Sequence, residues 1–296
     1  MYDVFLRFPG FKAKAVTLSY DDGVEQDEQL IQILNKYGLK STFNINTGLI
    51  APEGTMYPKE QLHRRLSESR IRTIYSDGHH ELACHSLRHK YLDVLNECDL
   101  IYEIAEDKKN LEELTGKIIR GFAVPYGRIN DRVISSLSNL GFVYSRGVGS
   151  TMTFKIPDNL LNIVPTCRYS DDGIMDLIDH FLEDSPLLYF HDRNPWLFYM
   201  WGHAYEFERD NTWAFFEELS AKLGGHDDIW YATNIETFSY VSDYRKLIYS
   251  ANGELVFNPT STTLWLESDG KMFTVAPGET CCVYRLPVEK FVQNEK

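Results

Sequence analysis

An α/β fold built on a mainly parallel sheet is what this 296-residue sequence predicts. Two observations carry that prediction: strand-like and helix-like segments alternate through most of the chain, and neither an internal repeat nor a low-complexity linker interrupts them. A composition that is 43% hydrophobic and 14% aromatic supports it, because a chain of this length can then bury a large core and intrinsic disorder is excluded.

The elements follow in order. KAVTLS (Lys14–Ser19) reads as a buried strand, and Leu30, Ile33, Leu34 and Tyr37 share one face of a helix over about residues 25–37 that ends at Gly38. STFNI (Ser41–Ile45) is the next strand, QLHRRLSES is expected as a helix, and ELAC (Glu81–Cys84) is a third strand. Ile101, Ile104, Leu111 and Leu114 mark a long helix stopped by Gly116; IIRGFAV then runs as a strand into the turn PYG, and Asn130 caps a further helix to Leu140. FVYS (Phe142–Ser145), LFYMW (Leu197–Trp201) and DIWYATN (Asp228–Asn234) complete the strands, with helices over Ile174–Glu183 and Asn211–Leu223. The strand count suits a closed barrel over residues 1–248. Beyond about Tyr249, short β runs separated by ANGE, NPTS, SDGK and APGE predict a small β appendage, residues 249–296.

Charge and cysteine use narrow the function. A net charge of −13 argues against nucleic acid, whose phosphates demand a basic footprint, so a neutral or cationic substrate is expected. Five cysteines, two of them adjacent (Cys281 and Cys282), with no CxxC, indicate neither a disulfide framework nor a zinc ribbon. MYDVFLRFPGFKAK lacks a basic segment followed by a continuous apolar run, and Trp196–Trp201 is too short to span a bilayer. A cytoplasmic protein with no membrane partner is the expectation.

Two motifs carry chemistry. Tyr20-Asp21-Asp22-Gly23 lies where the first strand ends, the position at which α/β folds place ligands. Taken alone it reads first as a turn with a helix cap. His85-Ser86-Leu87-Arg88-His89 follows the third strand, and four-residue spacing on a helical turn puts both imidazoles on one face, as in paired metal-ligating histidines. Alone it is equally a solvent patch beside His79 and His80. Both motifs follow strands of one sheet, so both point into one mouth, where two imidazoles and a carboxylate form an open metal site.

At these residues the chain resembles the polysaccharide deacetylases of the NodB-homology type, the fourth carbohydrate esterase family. LSYDDG (Leu18–Gly23) is similar to the family's first motif, which implies Asp21 as catalytic base and Asp22 as metal ligand. HSLRH is similar to the second, which implies His85 and His89 as the other ligands. VPYG (Val124–Gly127) resembles the third, whose aromatic offers a backbone N–H to the developing oxyanion and which here is Tyr126. The resemblance implies a distorted (β/α) barrel. It is ordered over about residues 14–130 and weaker afterwards.

The family closes its barrel with a strand bearing a histidine that protonates the leaving group. His191 in LLYFHD and His203 after LFYMW both qualify, and the stronger strand pattern favours His203. The sequence departs from the family at Ala123, where an arginine usually partners the base. Arg120, on a regular strand, faces away from residue 123, whereas Arg146 at the end of FVYS comes from a neighbouring strand end. Arg146 and Trp201 are also candidate substrate contacts, with Tyr205 a second aromatic for stacking on a sugar.

The implied activity is metal-dependent removal of acetyl groups from an oligo- or polysaccharide, with release of acetate. Zinc suits the ligand set, and cobalt, nickel and manganese are compatible with it. The alternatives are an O-acetyl carbohydrate esterase and a non-catalytic glycan-binding protein on a decayed deacetylase fold. A two-metal phosphoesterase would want more ligands.

Overall fold

The structure is a computed structural model that describes residues 4–188 and 193–283. In chain order its strands and helices are β1 (Val4–Arg7), β2 (Lys14–Asp21), α1 (Asp27–Lys36), β3 (Ser41–Ile45), α2 (Glu68–Ile74), β4 (Glu81–Cys84) and α3 (Glu97–Thr115). Then come β5 (Gly121–Ala123), α4 (Asp131–Asn139), β6 (Tyr144–Arg146), β7 (Cys167–Arg168), α5 (Ile174–Glu183) and β8 (Trp196–Gly202). The last are α6 (Ala204–Arg209), α7 (Trp213–Leu223), β9 (Ile229–Tyr231), α8 (Asn234–Tyr244), β10 (Ile248–Tyr249), β11 (Leu255–Phe257), β12 (Leu264–Ser268), β13 (Lys271–Val275) and β14 (Thr280–Cys282).

Eight parallel strands form one sheet in the order β6-β5-β4-β3-β2-β8-β7, with β9 added against β2. β2 is its axis: its start pairs with β9, its end with β3, and all of it up to Tyr20 with β8. All eight residues of β2 are buried, the continuous burial expected of a strand covered on both faces.

The strand pleat sorts the two faces. Phe198 and Met200 of β8 pack with Val16, Leu18 and Tyr20 of β2 into the larger core beneath α1, α5 and α7. Leu197 and Tyr199 turn the other way and join Ala15, Tyr144 and α8 residues Phe238 and Val241 in a second core. That second face also carries Thr17, Ser19 and Asp21, so it becomes polar toward the carboxyl ends of the strands.

Among the described residues β6 and β7 are the two ends of the sheet, so the distorted barrel is a curled half-barrel rather than the closed ring the strand count suggests. The gap is spanned by an irregular segment in which Ser145 N–H donates to Leu160 O and Thr166 N–H donates to Tyr199 O. Pro157 and Pro165, which have no N–H to give a ladder, keep it from becoming a strand.

Other expectations are met or corrected locally. Asn130 caps α4 by accepting from Val133 N–H, and Gly116 ends α3 at φ +67°. QLHRRLSES is not a helix up to Ser67: Glu25 N–H donates to Arg64 O and Leu66 N–H donates to Gly23 O, so these residues pair with the loop after β2 and α2 begins only at Glu68. The small β region beyond residue 249 is not made from those residues alone. β1 pairs antiparallel with β12, and Arg7 and Glu267 form an ion pair fully buried between those strands. No helix among the described residues is long and apolar enough to cross a membrane.

Candidate active site

The pleat brings Asp21, the last residue of β2, to the inner face at the mouth, and neighbouring strand ends converge on it. Asn44 of β3 donates to Asp21 Oδ1 at 2.8 Å, and Arg146 Nη2 donates to the same oxygen. His85 Nε2 and His203 Nε2 stand 3.7 and 3.8 Å from Asp21 Oδ2. Asp21, His85 and Arg146 are buried, and His203 is half-buried.

Arg146 is the directly paired neighbour of Ala123 across β5 and β6. The arginine missing at 123 therefore stands one strand over in the same register, beside an alanine small enough to leave it room. Arg146, expected as a substrate contact, has no exposed surface and its guanidinium is engaged by Asp21. Trp201 is enclosed likewise. Its indole N–H donates to Gly149 O at 3.1 Å, the Arg146 and Arg168 guanidiniums lie 4.8 and 5.3 Å from its ring, and only 7% of it is exposed, too little for a sugar to stack on.

A regular pleat would send Asp22 to the opposite face from Asp21. Its left-handed backbone, φ +88°, ends the strand and turns the carboxylate into the mouth. Arg65 holds it there by donating to Asp22 O and, at 2.9 Å, to Oδ1, while His63 Nε2 lies 3.0 Å from Oδ2. His85 and His89 are not on a helix as expected. Ser86 (φ +60°) and His89 (φ +54°) coil residues 85–89 into a tight turn that sets the two rings 4.8 Å apart, centroid to centroid.

One ligand atom from each of Asp22, His85 and His89 falls within 4.8 Å of the others. His85 Nδ1–H donates to Ala123 O at 2.8 Å, which fixes the tautomer and aims the Nε2 lone pair at this cluster. That Nε2 is buried with no hydrogen-bond partner. An orphaned buried acceptor beside an ionised carboxylate fits a divalent ion.

Electrostatics divides the histidines. Burial pushes His85 down to about 4 and also lowers His89, which favours the neutral ring in both. Burial also lowers His203, but the Glu206 carboxylate 3.2 Å from Nδ1, with Asp21 and Asp22, outweighs it and the net shift is upward. Burial raises Asp21, yet Arg146, then His85 and His203, pull harder and leave it below the ordinary value. Asp22 is driven well below it, with His63 and Arg65 overcoming its burial.

Tyr126 lies at φ +60°, edge-on to His89 at 4.5 Å and stacked on Tyr91 at 4.0 Å. Its left-handed backbone bends the chain over the mouth. Tyr205 flanks the other side, 5.3 Å from His203 and 5.0 Å from His63. His191 lies outside the described residues. Sequence reasoning missed His63 and Arg65, which sit in a segment read as helix, and it missed Glu103 and Asp107. For the last two a signal existed: both are acidic residues one turn apart on the face of α3 that carries Leu100, Ile104 and Leu111.

Residues 9–145 match the polysaccharide deacetylase family model. No curated protein sequence matches the chain. Among solved structures it is similar to a family 4 carbohydrate esterase from Streptomyces lividans in complex with acetate (17% identity, 74% of this chain and 92% of that one, TM-score 0.47). It is also similar to the Streptococcus pyogenes deacetylase PplD in complex with acetate (20%, 45% and 55%, 0.40) and a Bacillus cereus polysaccharide deacetylase (21%, 49% and 44%, 0.40). The chain spans about half the length of the latter two.

Proposed function

Because residues 9–145 match the polysaccharide deacetylase family model, we propose that the chain hydrolyses acetyl groups from an N-acetylated carbohydrate with the help of one divalent ion, zinc by preference. The observation that carries this reading is geometric: ligand atoms of Asp22, His85 and His89 within 4.8 Å of one another, beside a buried Asp21 that has His85 and His203 3.7 and 3.8 Å from its Oδ2.

Asp22, His85 and His89 would hold the ion, which when bound supplies Lewis-acid polarisation of the acetyl carbonyl and lowers the pKa of water. Asp21 takes the proton of the attacking water. Arg146 and Asn44 fix its carboxylate, and Arg146 keeps it ionised, which gives up some basicity for certainty of charge. The Tyr126 N–H donates to the oxygen of the tetrahedral intermediate. His203 delivers its proton to the departing sugar nitrogen as the C–N bond breaks, leaving acetate and a free amine. Glu206 holds that imidazolium from its far side.

The absence of an arginine at 123 would favour a decayed, purely glycan-binding fold, but Arg146 on Asp21 supplies the base with a guanidinium partner and so speaks for the catalytic reading. Metal analysis of the purified protein, combined with acetate release from a panel of N- and O-acetylated sugars, tests the proposal. Stoichiometric metal with acetate and free amine is expected. Acetate only from O-acetyl sugars would make it an esterase, and neither metal nor acetate would overturn it.

A further inference from the structure

The turn that carries His85 and His89 is held in shape by a helix that contributes nothing to the mouth itself. Asp107 and Glu103 lie one turn apart on α3, and both are buried, at 0% and 1% exposure. Asp107 Oδ2 accepts from His85 N–H at 3.0 Å, and its Oδ1 accepts from the N–H and the hydroxyl of Thr47 at 2.8 and 2.7 Å. Glu103 Oε2 accepts from Arg88 N–H at 2.9 Å, its Oε1 accepts from Arg88 Nε at 2.7 Å, and its carbonyl accepts from Leu87 N–H at 2.9 Å.

Facing α3 across the turn, Asn46 Nδ2 donates to Ser86 O at 2.9 Å and also to His85 O, and Gly48 N–H donates to Leu87 O at 2.9 Å. A side chain at Gly48 would meet Leu87 O at 2.5 Å, so the two loops approach as closely as backbone allows. Each residue from 85 to 88 thus has at least one backbone group tied to something outside the turn. Such ties are needed, since Ser86 and His89 hold left-handed backbone that costs each of them free energy.

We propose that Asp107 and Glu103 are positioning residues for the metal site: by clamping residues 85–88 to α3 they set the separation and aim of the two imidazoles. This rests on the metal reading above but concerns residues that no ion would touch. Groups that orient ligands typically change metal affinity by about ten- to a hundredfold when altered. The carboxylate chemistry matters because each side chain accepts from more than one donor. An amide at 107 would turn an NH2 toward either His85 N–H or the Thr47 donors, donor against donor.

The test uses the full chain loaded with cobalt(II), titrated against a competing chelator, with the visible ligand-field spectrum and circular dichroism recorded. Asp107→Asn is expected to weaken cobalt binding by about ten- to a hundredfold and to shift the spectrum, and Glu103→Gln to do so by about three- to tenfold. Lys109→Ala, on the exposed side of α3, is expected to change neither. If Asp107→Asn does not fold, Glu103→Gln decides. Folded variants with wild-type affinity and an unshifted spectrum would overturn the clamp, whereas wild-type protein that binds no cobalt would overturn the metal reading instead.

Discussion

Two ends of the same half-barrel bury carboxylates in opposite ways. At the mouth, Asp21 and Asp22 are surrounded by Arg146, Arg65 and histidines, and each lies below its ordinary pKa despite burial. At the far end Glu81, the first residue of β4, meets only neutral donors: Thr42 hydroxyl at 2.7 Å, Tyr144 hydroxyl at 2.9 Å and Ile235 N–H at 2.8 Å. Burial wins there and pushes it up to about 7. Neutral hydrogen bonds satisfy a buried carboxyl without compelling it to ionise, whereas facing cations do compel it. The mouth keeps charge that a folding chain would otherwise discard, and keeps orphaned nitrogens beside it. At the base of the sheet Thr42 and Tyr144 spend their hydroxyl protons on Glu81.

The comparison breaks most visibly if the proposed ligand cluster is opened. His85→Ala leaves two protein ligands, so metal content is expected to fall to background and acetate release with it; retention of stoichiometric metal would remove His85 from the ligand set. Next in size is Asp21→Asn, which is expected to lower turnover by about two to four orders of magnitude with metal content unchanged, measured by acetate release beside elemental analysis. Loss of metal with activity would mean that Asp21 is itself a ligand.

A smaller, substrate-dependent effect is expected at His203. His203→Ala should cut turnover about a hundredfold on an acetylated amino sugar but only a few-fold on an activated aryl acetate, whose leaving group needs no proton. Equal losses on both would assign His203 a different role.

The smallest effect sharpens the other half of the contrast. Folded protein holds a proton on Glu81 up to about pH 7, while an ordinary glutamate releases it near 4.5. The contribution of Glu81 to stability is therefore fully present below about 4.5 and declines as pH rises to about 7, the unfolded state having shed its proton first. Glu81→Gln removes that titration. Its Tm should fall by a few degrees less than wild type between pH 5 and pH 8. An unchanged difference would show that Glu81 ionises normally in the fold.

By itself the sequence determined the alternation of strand and helix, the ends of β2 and β4 as the chemical positions, and Asp21, Asp22, His85 and His89 as the residues converging there. These are local matters: apolar runs, caps such as Asn130, and motifs of six residues or fewer that a strand end must present. Tertiary structure alone decided what stands against them. Arg146 reaches Asp21 only because β6 pairs with β5 in the register that sets it beside Ala123. Arg65 reaches Asp22 only because residues 64–66 pair with the loop after β2 instead of continuing a helix. β1 joins β12 across most of the chain's length. Helical and strand periodicity report which face of an element is buried, but they carry nothing about which distant element covers it. The partners of a buried charge are decided by register and by loop closure, which is where this site acquired its electrostatics.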